Sequence, residues 1–289
     1  MSVGSLGGRF TFPASALTVN RIGYGAMRLT GPGVLGPPKD VGAAVALLRD
    51  AVTAGVNHID TADFYGPHVS NQLIRKALHP YPSDLVIATK VGARRPPVGS
   101  VVPAVARLEL IEAVHNNLRS LDVETLDIVN YRVMEAAGEP PIAEQIAVLA
   151  ELQREGLIRY LGVSNVTPDQ VAQARAIANI VCVQNRYNVA DREDDALVDE
   201  LAREGVAYVP FWPLGGTSPF ESATLSAIAS RIGATPHQVA QAWLLQRSPN
   251  VLLIPGTSSV AHLRENLAAG TLALAEGDVA ALDGISREG

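Results

Sequence analysis

Short β-branched runs alternate with amphipathic helical stretches along most of the chain. Arg21–Ala26, Val56–Asp60, Leu85–Lys90, Leu126–Tyr131, Leu157–Val163, Val181–Gln184, Val206–Phe211 and Val251–Ile254 read as strands, being short, apolar and bounded by Gly, Asn, Asp or Pro. Between them, apolar positions recur with helical spacing. Leu108, Ile111, Val114, Leu118 and Leu121 predict one buried face over Leu108–Leu121, and Ile142, Ile146, Leu149 and Leu152 predict another over Ile142–Leu152. Thr167-Pro168-Asp169-Gln170 and Thr235-Pro236-His237-Gln238 mark two helix starts, each with a Thr N-cap, Pro at the first helical position and Gln at the third. Ala223–Ile232 and Gly277–Ile285 read as further helices. Eight strands, each followed by a helix and with no break in composition, predict an α/β chain: a (β/α)8 TIM barrel forming a single domain over residues 1–289. Phe10–Val19 reads as a hairpin closing the bottom of that barrel.

Composition narrows the function classes. Apolar residues make up 47% of the 289 residues, which excludes a disordered chain, and the net charge of −6 comes with no basic run, which argues against nucleic acid. The single cysteine, Cys182, excludes a disulfide framework and any multi-cysteine metal site. No run of apolar residues is long enough to span a membrane, and Met1–Phe10 lacks the pattern of a secretory signal, so a cytoplasmic location is expected. Gly31-Pro32-Gly33-Val34-Leu35-Gly36 matches a dinucleotide fingerprint by letters, but Pro37-Pro38 follows where a phosphate-binding helix should begin, so it reads as a loop.

Active sites of such barrels lie where the strands end. Asp60 ends the second strand and leads to Tyr65; Lys90 ends the third, and Asn130, Tyr131 and Arg132 end the fourth. Ser164-Asn165, Gln184, Phe211-Trp212 and Pro255-Gly256-Thr257 end the remaining four. A Lys beside a Tyr stabilises phenolate and an Asp keeps the Lys charged, which together suit a phenol to protonating a carbonyl oxygen. The same trio also fits a buried ion pair with a bystander Tyr.

The stretches 57–66 (Asn57 to Gly66), Ile87–Lys90, Tyr160–Asn165, Gln184–Asn188 and Ile254–Thr257 resemble, in order, the aldo-keto reductase superfamily. The resemblance runs from Gly23 to Asn266. It implies a metal-free (β/α)8 barrel that uses NADP(H), less often NAD(H), to reduce aldehydes and ketones. It makes Tyr65 the proton donor, assisted by Lys90 and Asp60. Ser164, Asn165, Gln184 and Asp60 would then face the nicotinamide, with Phe211 stacked on its ring and Ala26 and Met27 beside it. Trp212, Pro213, Leu214 and Gly215 would follow the pyrophosphate. Gly256, Thr257, Ser258 and His262 would meet the adenosine phosphate at a helix N-terminus, with Glu265 and Asn266 against adenine.

Two positions depart from the family pattern. Arg132 stands where the family usually has a catalytic His; it either hydrogen-bonds the substrate oxygen as a fixed cation or turns away to pair with Glu135. The expected 2′-phosphate site holds Ser258, Ser259 and His262, with Arg264 nearby, rather than a Lys or Arg in place. This arrangement favours NADP and leaves NAD open. The competing reading is a nicotinamide-binding regulatory or sensor subunit with little turnover, which an exposed apolar patch would favour. Phe64, Met27, Met134 and Trp212 are placed to line a pocket for an apolar or aromatic carbonyl. His58 reads as packed within the barrel rather than as a metal ligand, and Cys182 as a buried, inert thiol. Oligomeric state is not legible.

Overall fold

A computed structural model of the chain describes residues 6–13, 15–96, 99–134, 141–213 and 222–285. Two antiparallel strands, β1 (Arg9–Thr11) and β2 (Thr18–Asn20), open the fold with Phe10 opposite Val19. The barrel strands β3 (Tyr24–Gly25), β4 (His58–Asp60) and β5 (Val86–Val91) follow. A small hairpin of β6 (Ala93–Arg94) and β7 (Val102–Pro103) interrupts the succession. The series then resumes with β8 (Leu126–Arg132), β9 (Ile158–Ser164), β10 (Ile180–Gln184) and β11 (Ala207–Tyr208).

Seven of these strands form one parallel sheet in the order β3-β4-β5-β8-β9-β10-β11. Its two edges meet through Val251–Leu253, where Val251 bridges to Tyr208 and Leu253 to Ile22. Leu252 N donates to Tyr208 O at 2.9 Å and Gly23 N to Leu253 O at 2.8 Å, which closes the (β/α)8 barrel. The first, seventh and eighth predicted strands are thus shorter than their apolar runs. Pro210 and Pro255 carry no N–H for the ladder, so regular pairing is interrupted there; beyond Pro210 only an isolated bridge, Phe211 to Arg186, resumes it.

The helices α1 (Val41–Thr53), α2 (Val69–Leu78), α3 (Arg107–Leu121), α4 (Ala143–Arg154), α5 (Pro168–Arg175) and α6 (Asp195–Arg203) pack around the sheet, followed by α7 (Ala223–Ile232), α8 (Pro236–Arg247), α9 (Val260–Ala268) and α10 (Glu276–Asp283). Asp40 caps α1 by accepting from Ala43 N at 2.8 Å. Thr167 and Thr235 cap α5 and α8 in reciprocal boxes with Gln170 and Gln238, as their sequences predict. Ile142, Ile146, Leu149 and Leu152 are all buried behind α4. The face of α3 is a correction: Leu108 is 77% exposed, whereas Leu110, Val114, Leu118 and Leu121 are buried. At 3.6 residues per turn, Leu108 lies roughly 200° around the helix from Leu110, so it cannot share that face.

The predicted hairpin closes the end of the barrel opposite the site. Phe12 and Val19 pack on Val86, Ile128, Cys182, Ala207 and Leu252. The Gly31–Gly36 stretch is a loop containing a single turn of 3₁₀ helix at Pro32–Val34, with Gly33 at φ 68°, and leads to no phosphate-binding helix. Among the described residues, no helix is long and apolar enough to cross a membrane.

Candidate active site

Asp60 is the last residue of β4 and Lys90 the last but one of its parallel neighbour β5, so their side chains converge inside the upper barrel. Both are 4% exposed. Lys90 Nζ donates to Asp60 Oδ1 and, at 3.0 Å, to the Thr61 carbonyl. Burial, the largest single influence, would by itself lower the Lys90 pKa; Asp60 and Tyr65 together, by attraction and hydrogen bonding, outweigh it and hold the ammonium above its ordinary value. The second Asp60 oxygen accepts from Gln184 Nε2 at 2.8 Å, so one carboxylate ties the lysine to the end of β10. Tyr65 follows β4 on the same rim, its ring centroid 5.2 Å from Lys90 Nζ. A phenol, a paired ammonium and a carboxylate therefore sit together at the rim, with the cation within reach of the phenol.

Arg132, the last residue of β8, is directed into this site. It donates to Ser164 Oγ at 3.0 Å, and its guanidinium carbon lies 4.8 Å from the Phe211 ring centroid. Burial lowers its pKa, while Tyr65 and Asp60 act in the opposite direction. Glu135, the alternative partner, lies outside the described residues.

Ser164 and Gln184 are register partners at the ends of β9 and β10. Asn165, at φ 60°, donates from Nδ2 to the Val133 carbonyl at 2.8 Å. Phe211 and Trp212 stand edge to face at 5.5 Å, and the Trp212 carbonyl accepts from Asn188 Nδ2. Pro213 follows directly; Leu214 and Gly215 lie outside the described residues. Across the barrel, Ala26 and Met27 form a turn after β3. A Cβ on Gly25 would stand 2.5 Å from the Ile254 carbonyl, so only glycine lets strand one meet the last strand here.

Tyr24 Oη donates to the Thr257 carbonyl, which fixes the segment leading into α9. Thr257 Oγ1 accepts from Ser259 N at 3.0 Å, and Ser259 caps α9 by accepting from His262 N. Ser258 and His262 are exposed at that helix N-terminus. Glu265 accepts from Thr235 Oγ1 at 2.5 Å and Asn266 Oδ1 from Gln241 Nε2 at 2.9 Å. Amide and hydroxyl groups thus cluster beside Asp60, and a helix N-terminus carrying two serines faces solvent at the far end. That donor set fits a nicotinamide dinucleotide: polar at the carboxamide end, suited to phosphate at the other.

Phe64 packs edge to face on Tyr65 at 5.3 Å, and Met134 joins them with Ala62, Ala93 and Val101. The contribution of the β6–β7 hairpin to this wall was not foreseen, because Ala93 and Val101 carry no chemical signal of their own. A second feature missed by the sequence reading is a buried polar chain behind the catalytic pair. Thr61 bonds Asn71, and Asn117 accepts from both Asn71 at 2.8 Å and Thr89 at 2.6 Å. An Asn at an inward helical position between Val114 and Leu118 was the available clue. His58 is packed, as expected: burial lowers its pKa to about 4 against the raising effects of Asp60 and of the Asn20 and Leu253 carbonyls, yet neither ring nitrogen reaches hydrogen-bonding geometry. Burial pushes the Cys182 thiol up to about 12, consistent with an inert thiol.

The barrel and the polar groups gathered at its rim fit an oxidoreductase of the aldo-keto type. The model of the Aldo/keto reductase family matches residues 21–287, and the chain belongs to that family. It is 61% identical over 282 residues to pyridoxine 4-dehydrogenase of Escherichia coli K12, an alignment covering 96% of this chain and 99% of that protein. It is 37% identical to an uncharacterised oxidoreductase of Schizosaccharomyces pombe, covering 94% of this chain and 89% of the other. Among solved structures, a thermostable aldo-keto reductase crystallised with the inhibitor epalrestat superposes with a TM-score of 0.81 at 32% identity, covering 96% of this chain and 99% of that one. An aldo-keto reductase from Klebsiella pneumoniae in complex with NADPH shares the fold, with a TM-score of 0.78, 24% identity and coverage of 95% and 93%.

Proposed function

We propose that this protein interconverts an aldehyde and its alcohol with NADP(H), and that the aldehyde is a pyridoxal-type aromatic carbonyl. The observation that carries the reading is the buried Asp60–Lys90 pair beside Tyr65 at the rim of a family barrel. The likeness to pyridoxine 4-dehydrogenase supports the substrate class. Bound NADPH would supply a hydride to the carbonyl carbon. Tyr65 then gives its phenolic proton to the carbonyl oxygen, and the Lys90 ammonium offsets the phenolate left behind. Asp60 keeps Lys90 charged and, through Gln184, couples the acid to the expected nicotinamide face. Ser164, Asn165, Gln184 and Phe211 would hold the nicotinamide, and Thr257, Ser258, Ser259 and His262 the adenosine phosphate.

The phosphate-suited terminus of α9 favours NADP over NAD, which is the alternative the assay separates. We assign the chain one catalytic domain, on the strength of its continuous strand order, and a cytoplasmic location, in keeping with its lone buried thiol. A regulatory subunit is not favoured. Among the described residues the exposed large apolar side chains, Leu35, Val105, Leu108, Ile177, Trp212 and Val260, come from separate segments apart from the neighbours Val105 and Leu108.

The test follows absorbance of NADPH and NADH in parallel across aromatic and aliphatic aldehydes. Rapid oxidation of NADPH by a pyridine aldehyde is expected. Tyr65→Phe should lower kcat by about 10²–10⁴-fold, the usual contribution of a positioned general acid. Retention of most of the rate would remove Tyr65 from the donor role.

A further inference from the structure

Arg132 is a half-buried cation without an anion of its own among the described residues. Among the described residues, no carboxylate stands within ion-pair distance of it; its partners are the Ser164 hydroxyl and the face of Phe211. Arg21, likewise half-buried, shows the contrast, since it donates to four backbone carbonyls. Elsewhere Arg186 has Asp191 and Arg247 has Asp199. A hydroxyl and a ring face offset only part of what a guanidinium loses on leaving water. The remainder favours any anion that enters the site.

Its place says which anion. Arg132 pairs in register with Ser164 on one side, while Lys90 on the neighbouring strand stands opposite Asn130, two residues before it. Tyr65 and Asp60 both act on its charge, so the guanidinium, stacked on Phe211, lies within electrostatic reach of the phenol. Phe64, Met134 and Val101 wall that space with apolar surface suited to a flat ring. A carbonyl oxygen held by Tyr65 therefore leaves the guanidinium beside the adjacent ring substituent. A planar fork of donors matches two neighbouring oxygens, one a phenolate and one a carbonyl, better than a point charge would. An imidazole, largely neutral at pH 7, would not hold a phenolate in this way.

We propose that Arg132 determines specificity by binding the deprotonated ring hydroxyl ortho to the substrate aldehyde, which selects 3-hydroxypyridine-4-carbaldehydes. This rests on the proposed function and assigns the residue that reads its substrate class. It makes the site selective for an acidic ortho substituent, not merely for an aromatic ring.

Three aldehydes separate the possibilities: 3-hydroxypyridine-4-carbaldehyde, its 3-methoxy counterpart and pyridine-4-carbaldehyde. With NADPH and the whole protein, kcat/KM for the hydroxy compound should exceed both others by about 30-fold, the size of a hydrogen bond to a charged group. Arg132→Gln should bring the three within about 3-fold of one another, and Arg132→Lys should keep part of the preference. A wild-type protein that reduces all three alike overturns the inference without any variant. An equal loss on all three in Arg132→Gln also overturns it, because Arg132 would then polarise the carbonyl alone. Oxidation of neither cofactor by any aldehyde refutes instead the reductase reading on which it rests.

Discussion

Removal of Lys90 tests the buried Asp60–Lys90 pair as a structural object before any turnover is measured. In Lys90→Met the stem is kept and the charge is lost, at a position only 4% exposed. Asp60 then retains Gln184 as its donor, at 2.8 Å, and its other oxygen faces a thioether where an ammonium had been. Breaking a buried pair from one side costs about 3–5 kcal/mol, because an uncompensated charge stays behind. That is a large share of the roughly 5–15 kcal/mol that holds a folded domain. Asp60→Asn combined with Lys90→Met leaves no charge, and the double variant should return to within about 1–2 kcal/mol of wild type. The Lys90 pKa is raised in the folded protein, so its contribution is complete below the ordinary lysine value of 10.5 and is lost only as pH rises through the higher folded value. Urea unfolding at pH 7, followed through Trp243 and Trp212, therefore reads the whole effect. A cost below about 1 kcal/mol for Lys90→Met, or no recovery in the double variant, would refute the reasoning, since surface pairs behave in that way. The double variant should regain stability without regaining carbonyl reduction.

Three further outcomes follow from the same coordinates. Burial raises the Asp63 pKa to about 7 against two stabilising backbone contacts, so the folded state binds the extra proton and stability falls as pH rises from about 4 to 7. His58, held neutral, gives the opposite slope, so the difference between wild type and Asp63→Asn is the quantity to measure. The variant should be more stable at pH 8, by on the order of 4 kcal/mol, and nearly indistinguishable at pH 4; a pH-independent difference would exclude the carboxylate as its cause. At Gly162, an added Cβ would overlap Asn130 Oδ1 and approach Cys182 Sγ to 2.5 Å inside the barrel, so Gly162→Ala should cost about 1–3 kcal/mol in urea unfolding; an unchanged midpoint would mean that the interior can relax. On α3, Leu108→Lys should change stability by less than about 0.5 kcal/mol and Leu110→Ala should lower it by about 2–5 kcal/mol, an order that the apolar pattern alone would have reversed for Leu108.

What the chain declares by itself is whatever follows from local spacing. Eight apolar runs, two Thr-Pro helix starts and a leader hairpin were legible because strand and helix periods differ and because caps are satisfied within four residues. Asp60, Tyr65, Lys90 and Arg132 were legible as a set, since a barrel carries every strand end to one rim. Leu108 was misread because five apolar residues at helical intervals leave the centre of a face undetermined until the sheet selects it. Whether Arg132 would face the site or the loop could not be read either. That choice depends on Ser164 and Phe211, 32 and 79 positions away in sequence and neighbours only once the barrel closes. The Asn71–Asn117–Thr89 chain behind the catalytic pair was hidden for the same reason. Sequence spacing encodes which backbone hydrogen bonds form nearby; partners for buried polar groups come from distant segments, and only tertiary packing brings them within reach.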